Sequence, residues 1–251
     1  MVRLGLAAFF SRHVSITRVM FDCRDGGIPL DSRSQQLICP ICQKRKAKRF
    51  CPAKTQSICS VCCGTEREVS IDCPSDCPHL VASRQPDYER QDIDPSTLPF
   101  PDFKIASSFV RARNDLLLKI SYTICLHARD NSALVDSDVI TALQSLAEAY
   151  RTLASGIVYQ NPPVYRLQRE LYQAVQTSIE RHKQEERRKV MVAHPDAVGN
   201  GDIRDALVIL TRLGAARSNG RPKSRAYLDF LRTRFEPGEF SKPGSGLLLL
   251  A

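Results

Sequence analysis

The chain has 251 residues, with 36 Lys and Arg against 27 Asp and Glu for a formal net charge of +9, ordinary apolar content and no Trp. That is enough for one large domain or two small ones with a real core, and it excludes a disordered tail. The longest apolar runs, residues 4–10 and 247–251, fall far short of the roughly 20 residues that span a bilayer, so no membrane-crossing helix is expected.

At the amino end, Arg3, Arg12 and Arg18 precede the first acid, Asp22, which is the charge pattern of a signal or transit peptide. The favoured reading is a loose leader over residues 1–36, or a start set too early, with Met20 as the alternative start. Next comes a cysteine block. Eight of the ten cysteines lie between Cys39 and Cys77, leaving only Cys23 and Cys125. A secreted disulfide scaffold carries cysteines through its whole fold, so this clustering favours a metal site in a reducing, cytoplasmic compartment.

The block reads C-x2-C-x8-C-x7-C-x2-C-C-x9-C-x3-C-x-H. Cys39-Pro-Ile-Cys42 and Cys59-Ser-Val-Cys62 have the spacing of zinc knuckles, where two intervening residues let the chain curl round one ion at about 2.3 Å per Zn–S bond. These two knuckles face one ion. The remaining thiols, Cys51, Cys63, Cys73 and Cys77, form a second quartet interleaved with the first. Two zinc ions are therefore expected. Adjacent side chains of an extended segment point to opposite sides, so Cys62 serves one ion and Cys63 the other. His79 is the alternative to Cys77, which is preferred because the x3 spacing from Cys73 suffices. Eight thiolates around two zinc ions would lower the effective charge to about +5, a mild basic excess.

Residues 83–103, with Pro86, Pro95, Pro99 and Pro101, read as an extended linker, since proline at that density forbids continuous helix. Tyr88, Leu98, Phe100 and Phe103 could anchor it. From Lys104 the apolar period becomes helical. Ile105, Phe109, Leu116, Ile120 and Ile124 share the first face. Val139, Leu143, Leu146, Ala147, Tyr150 and Leu153 share the second, after an Asp136-Ser137-Asp138 start. A third helix starts at Asn161 and Pro162, runs through Val164, Leu167, Leu171, Val175 and Ile179, and turns wholly polar over residues 181–189. Gly201-Asp202 opens the fourth, with Ile203, Leu207, Leu210 and Leu213, stopping near Gly214. Pro222 starts the fifth, with Tyr227, Leu228, Leu231 and Phe235. The expected protein is mainly α: a small two-zinc module over 37–82, the linker, a bundle of about five helices over 104–236, and a flexible tail over 237–251.

The string CPICQKRKAKRFCPAKTQSICSVC, with an aromatic before the third thiol and an aliphatic before the second knuckle, resembles a B-box-type cross-brace zinc finger. Cys73 and Cys77 fall where that family has its closing histidine pair. The family's usual Asp or Cys three residues after the third ligand is Lys54 here, which cannot bind a metal, and Cys63 would fill the vacancy. Continued through CCGTERE and DCPSDCPHL, the string also resembles an uncharacterised bacterial Cys-rich family, a likeness that carries no activity with it. The resemblance covers about 40 residues, and the B-box likeness implies a non-catalytic interaction module.

Saturated all-thiolate zinc sites are structural in the large majority of cases, and the His-x-Glu of a zinc deaminase is absent. Cys125 and His127, two apart on a helix, do not face each other and read as core packing. No enzyme is expected. Two basic sets invite phosphates: Lys44, Arg45, Lys46, Lys48 and Arg49 after the first knuckle, and Arg212, Arg217, Arg221, Lys223, Arg225, Arg232 and Arg234 near the end. Phe50 and Tyr227 are the nearby aromatics suited to stacking. The leading expectation is a zinc-stabilised scaffold that binds a protein partner; the alternative is a nucleic-acid-binding regulator that uses both basic patches.

Overall fold

The cysteine block begins with a tight loop that the Cys-Pro-Ile-Cys spacing dictates. In the computed structural model, which describes residues 38–90, 94–190, 198–236 and 238–240 (side chains at 85–90 and 189–190 excepted), Gln43 N–H donates to the Cys39 carbonyl at 2.8 Å and Cys39 N–H to the Arg45 carbonyl at 2.8 Å. Gln43 takes a left-handed φ of 52° to close the curl. The strands β1 (Arg49–Cys51) and β2 (Gln56–Ile58) then pair antiparallel, with Arg49 opposite Ile58 and Cys51 opposite Gln56. Helix α1 (Ser60–Glu66) follows directly, and α2 spans Pro78–Arg90. The leader and the Met20 start fall outside the described residues.

Helix α2 corrects the expectation of extended chain from residue 83. It starts on Pro78, whose fixed φ suits a first helical position, while the Cys77 carbonyl accepts from Leu80 and Val81 N–H at 2.9 and 3.0 Å. Pro86 removes one helical hydrogen bond, a cost of about 3 kcal/mol, without preventing the turns before it. Over the described residues 94–103 the segment is non-helical apart from a single 3-10 turn, Pro95–Thr97, capped by Asp94. Of its four expected anchors, Phe100 and Phe103 pack on the helical core, and the Tyr88 side chain falls outside the described residues. Arg212 holds it from the other side, donating to the carbonyls of Pro99 at 3.1 Å, Phe103 at 2.8 Å and Phe100.

The expectation of a mainly helical protein holds. A short α3 (Phe109–Ala112) precedes α4 (Asn114–Asp130), α5 (Asp136–Ala154), α6 (Arg166–Val190), α7 (Asn200–Arg217) and α8 (Ala226–Arg232). α5 packs along α7, α6 lies against α4 and α5, and α8 closes on α4 and α7. Their apolar faces meet in one core containing Leu116, Ile120, Ile124, Leu143, Leu146, Leu171, Val175, Leu207 and Tyr227.

Several boundaries differ from the sequence reading, each for a local reason. The first helical face is broken at Arg113, whose backbone leaves the helical region at φ −119° and ψ 29°. Residues 161–165 are not helical, and Val164 is 85% exposed; Pro163 forces Pro162 out of the helical region, so α6 waits until Arg166. α7 passes straight through Gly214, because a Cβ there would lie 2.9 Å from both Ile140 and Tyr227, and glycine serves close packing rather than termination. α8 starts at Ala226 rather than Pro222, where the Asp136 carboxylate of α5 accepts the N–H groups of Tyr227 and Leu228 at 3.1 Å. Phe240, expected in the flexible tail, stacks 5.3 Å from both Tyr122 and Phe235.

Candidate metal centre

The first four thiols come together. Cys39 and Cys42 arrive on the knuckle loop, Cys59 sits immediately before α1, and Cys62 lies on its first turn. Their sulfurs all lie within 4.8 Å of one another, and three of the four residues are buried. Cys42 Sγ and Cys59 Sγ are 3.9 Å apart. A tetrahedron with bonds of about 2.3 Å has edges of about 3.8 Å, so the observed spacing suits a four-sulfur ion. The four residues could hold one metal ion.

Backbone N–H groups prepare these sulfurs for negative charge. Cys62 N–H donates to Cys59 Sγ at 3.3 Å. The N–H groups of Lys44 and Arg45 favour the Cys42 thiolate and bring that thiol down to about 6. Burial pushes the Cys39 thiol up, but N–H donors from Cys42, Cys59 and Ile41 outweigh it and leave it lowered. Cys62 moves the other way, to about 12, through burial and the neighbouring sulfurs. One of four crowded thiols resists ionisation when nothing positive sits among them, which is the electrostatic problem a divalent ion removes.

The second quartet is not closed to the same degree. Among the described residues, Cys39, Cys42, Cys59 and Cys62 are the only ligand group this tight. Cys51 is buried at the end of β1, Cys77 is buried before α2, and Cys73 is half-buried between them. The Cys73 thiol is raised chiefly by burial, with Glu68 N–H opposing and the charges of Cys77, Cys51 and Glu68 adding to the rise. Cys63 takes a weak hydrogen bond from Arg67 Nη2 at 3.7 Å. Cys62 and Cys63 do diverge, but on a helix, where successive side chains are about 100° apart, and not on an extended segment. His79 is half-buried on the first turn of α2.

Glu68 is the residue the sequence reading missed. It is 1% exposed, with φ 52°, in the finger segment between Cys63 and Cys73. Its carboxylate accepts from Arg84 and from Asn219, both at 2.7 Å, and its carbonyl accepts Lys223 N–H at 2.8 Å. Arg84 also reaches Asp229 at 2.7 Å, and Ser75 donates to the same carboxylate at 2.8 Å. Arg221 donates to the Gly64 carbonyl at 3.1 Å, Lys223 Nζ to that of Ser70 at 2.9 Å, and Arg225 pairs with Asp72. The finger is thus bonded directly to the segment between α7 and α8. No sequence period announces this, because the partners are some 150 residues apart.

These bonds give much of the carboxy-terminal basic set partners within the fold. Arg221, Lys223 and Arg225 bind the finger, and Arg212 binds the linker. Arg217 and Arg234 lie over the Phe230 ring at 4.3 and 5.0 Å, and Arg232 pairs with Asp229 at 3.3 Å. Tyr227 is fully buried and donates to the Leu210 carbonyl, so it offers no stacking face. Cys125 is also buried, and burial pushes its thiol up to about 12, which leaves it inert as a nucleophile at neutral pH.

No helix of the described residues is long and apolar enough to cross a membrane. No protein-family profile matches the sequence, and neither a curated protein nor a solved structure matches it.

Proposed function

We propose that the chain is a zinc-stabilised, non-catalytic interaction protein of the cytoplasm, its finger serving as a structural module. The observation that carries this reading is the four-thiol cluster with its 3.9 Å sulfur separation. Four thiolates saturate zinc and leave no open position for a substrate or water. The order of knuckle, hairpin and a helix carrying the last two ligands suits a treble-clef or B-box-like module. A second zinc is proposed at Cys51, Cys63, Cys73 and Cys77, supported by the packing of Cys63 and Cys73 on the cluster that contains Cys51 and by the roughly 100° that separates Cys63 from Cys62 on α1.

The partner is proposed to be a protein, met by the helical part. Between α5 and α6 the chain exposes Ile157, Val158, Tyr159, Val164 and Tyr165 at 58–85%. Five large apolar side chains on one exposed connection are more than scattered surface residues, and such patches mark interaction sites. The test has two parts. Metal analysis of protein prepared without chelator should return two zinc ions per chain; one or none would sink the two-site reading. A pull-down with the full chain, treated with nuclease, should lose its protein partner when Tyr159 and Tyr165 are both changed to Ser. Retention of the partner would move the interface elsewhere.

A further inference from the structure

Residues 38–65 contain Lys44, Arg45, Lys46, Lys48, Arg49 and Lys54 and not one Asp or Glu. Ion pairs among the described residues leave all six out. All are exposed except the half-buried Arg49. A four-thiolate site around a divalent ion carries two negative charges. Even two such sites would leave positive charge unbalanced on this edge. Among the described residues this basic set, unlike the carboxy-terminal one, has no carboxylate partner.

The extended chain leading into β1 arranges it: Lys46 bridges to Ile38, and Lys48 N–H donates to the Ile58 carbonyl at 3.0 Å. From residue 46 to residue 51 exposure alternates: Lys46, Lys48 and Phe50 point outward, residues 47 and 49 are half-buried, and Cys51 is buried. Residues two apart on a strand project from one face about 6.6 Å apart. Phe50 is 60% exposed, and its partner in β2 is the small Ser57, which leaves the ring uncovered. Ile41, 39% exposed, adds apolar surface on the knuckle. The row is two cations and an open aromatic face on the β1–β2 hairpin and the extended chain leading into it.

We propose that this edge, centred on Lys46, Lys48 and Phe50, binds single-stranded nucleic acid, with phosphates on the cations and a base stacked on the Phe50 ring. Single strands suit it because their bases are free to stack, and base–aromatic stacking beside a cationic track is the usual chemistry of sequence-tolerant binding. An acidic protein would satisfy the cations but gains no stacking from the uncovered ring beside them. The proposal rests on the finger being a folded metal-held module, and metal content is measured alongside binding so that the two can fail separately.

The experiment is fluorescence anisotropy with the full zinc-loaded chain and labelled dT20 and rU20 across a salt series. Affinity should fall linearly in log salt, with a slope of about −0.7 per phosphate neutralised. Lys46→Gln with Lys48→Gln should reduce that slope by about 1.4. Phe50→Ala should weaken binding about tenfold with the slope unchanged. Lys48→Arg, which keeps the charge, should bind like the parent and guards against a merely misfolded variant. Preference for dT20 or rU20 assigns the strand to DNA or RNA. Absence of salt-dependent binding overturns the proposal. So does equal binding by polyglutamate together with indifference to Phe50→Ala, which would make the edge a site for acidic proteins.

Discussion

Glu68, buried in the finger, and Asn219, at the surface beyond the end of α7, are joined by a 2.7 Å hydrogen bond. The same carboxylate holds Arg84. One buried acid therefore ties together the segment between Cys63 and Cys73, the helix α2 and the loop that leads into α8. The cysteine block and the helical core meet at this residue.

Glu68→Ala should destabilise the protein by about 3 kcal/mol. It leaves a guanidinium at 13% exposure with one carboxylate instead of two and an amide with no acceptor. The check is urea unfolding, with a lowered midpoint at unchanged slope. Glu68→Gln should recover part of the loss, because it keeps an acceptor for Asn219. Equal stability of the Ala variant and the parent would mean the finger and bundle are not coupled through this contact.

Cys63→Ser should remove one ligand from the second site only. Zinc stoichiometry should fall to between one and two, and cobalt substitution should show fewer thiolate bands at one ion. Cys42→Ser should do the converse, since Cys42 lies in the four-thiol cluster. Two full four-sulfur spectra from Cys63→Ser would mean that Cys63 is a bystander and that His79 or another group completes the site.

Asp136→Ala should cost about 3 kcal/mol. The carboxylate accepts Ser224 Oγ at 2.7 Å and the N–H groups of Tyr227 and Leu228, so it caps α8 from a different helix. Three donors lose their acceptor in a buried site. Thermal unfolding by circular dichroism measures the effect, and zinc content should stay at the parent value.

Gly214→Ala gives the clearest contest between local and tertiary effects. Helix propensity alone favours alanine by about 1 kcal/mol. The 2.9 Å approaches to Ile140 and Tyr227 predict a net loss of about 1–3 kcal/mol from overpacking. A stabilised variant in a denaturant titration would show that the Tyr227 ring moves aside freely.

The helical faces were legible because amphipathic periodicity is local. Leu116, Ile120 and Ile124, Leu143 and Leu146, and Leu171, Val175 and Ile179 are buried where their spacing placed them. Boundaries were less legible where proline or glycine has two readings. Pro86 and Gly214 sit inside helices, and Pro162 and Pro222 do not start them, because packing partners and neighbouring residues choose between the readings. The thiol spacing pointed to Cys39, Cys42, Cys59 and Cys62 for the same reason as the helices: two-residue curls are short-range geometry. For Cys51, Cys63, Cys73 and Cys77, the end of β1, the helix α1 and the segment before α2 must be brought together, which spacing alone does not govern.

By itself, the sequence determined a thiol-rich block with knuckle spacing, a following set of amphipathic helices, and an acid-free basic stretch around Phe50. Each is written in residues close enough along the chain to interact before the fold forms. Only the tertiary structure decided which charges are used. It buried Glu68 against Asn219 and Arg84, turned Arg221, Lys223 and Arg225 onto the finger, and left Lys46 and Lys48 facing solvent. A basic residue looks the same in a sequence whether it meets a carbonyl 150 residues away or water. Distance in the chain carries no information about that, and burial with hydrogen bonding does.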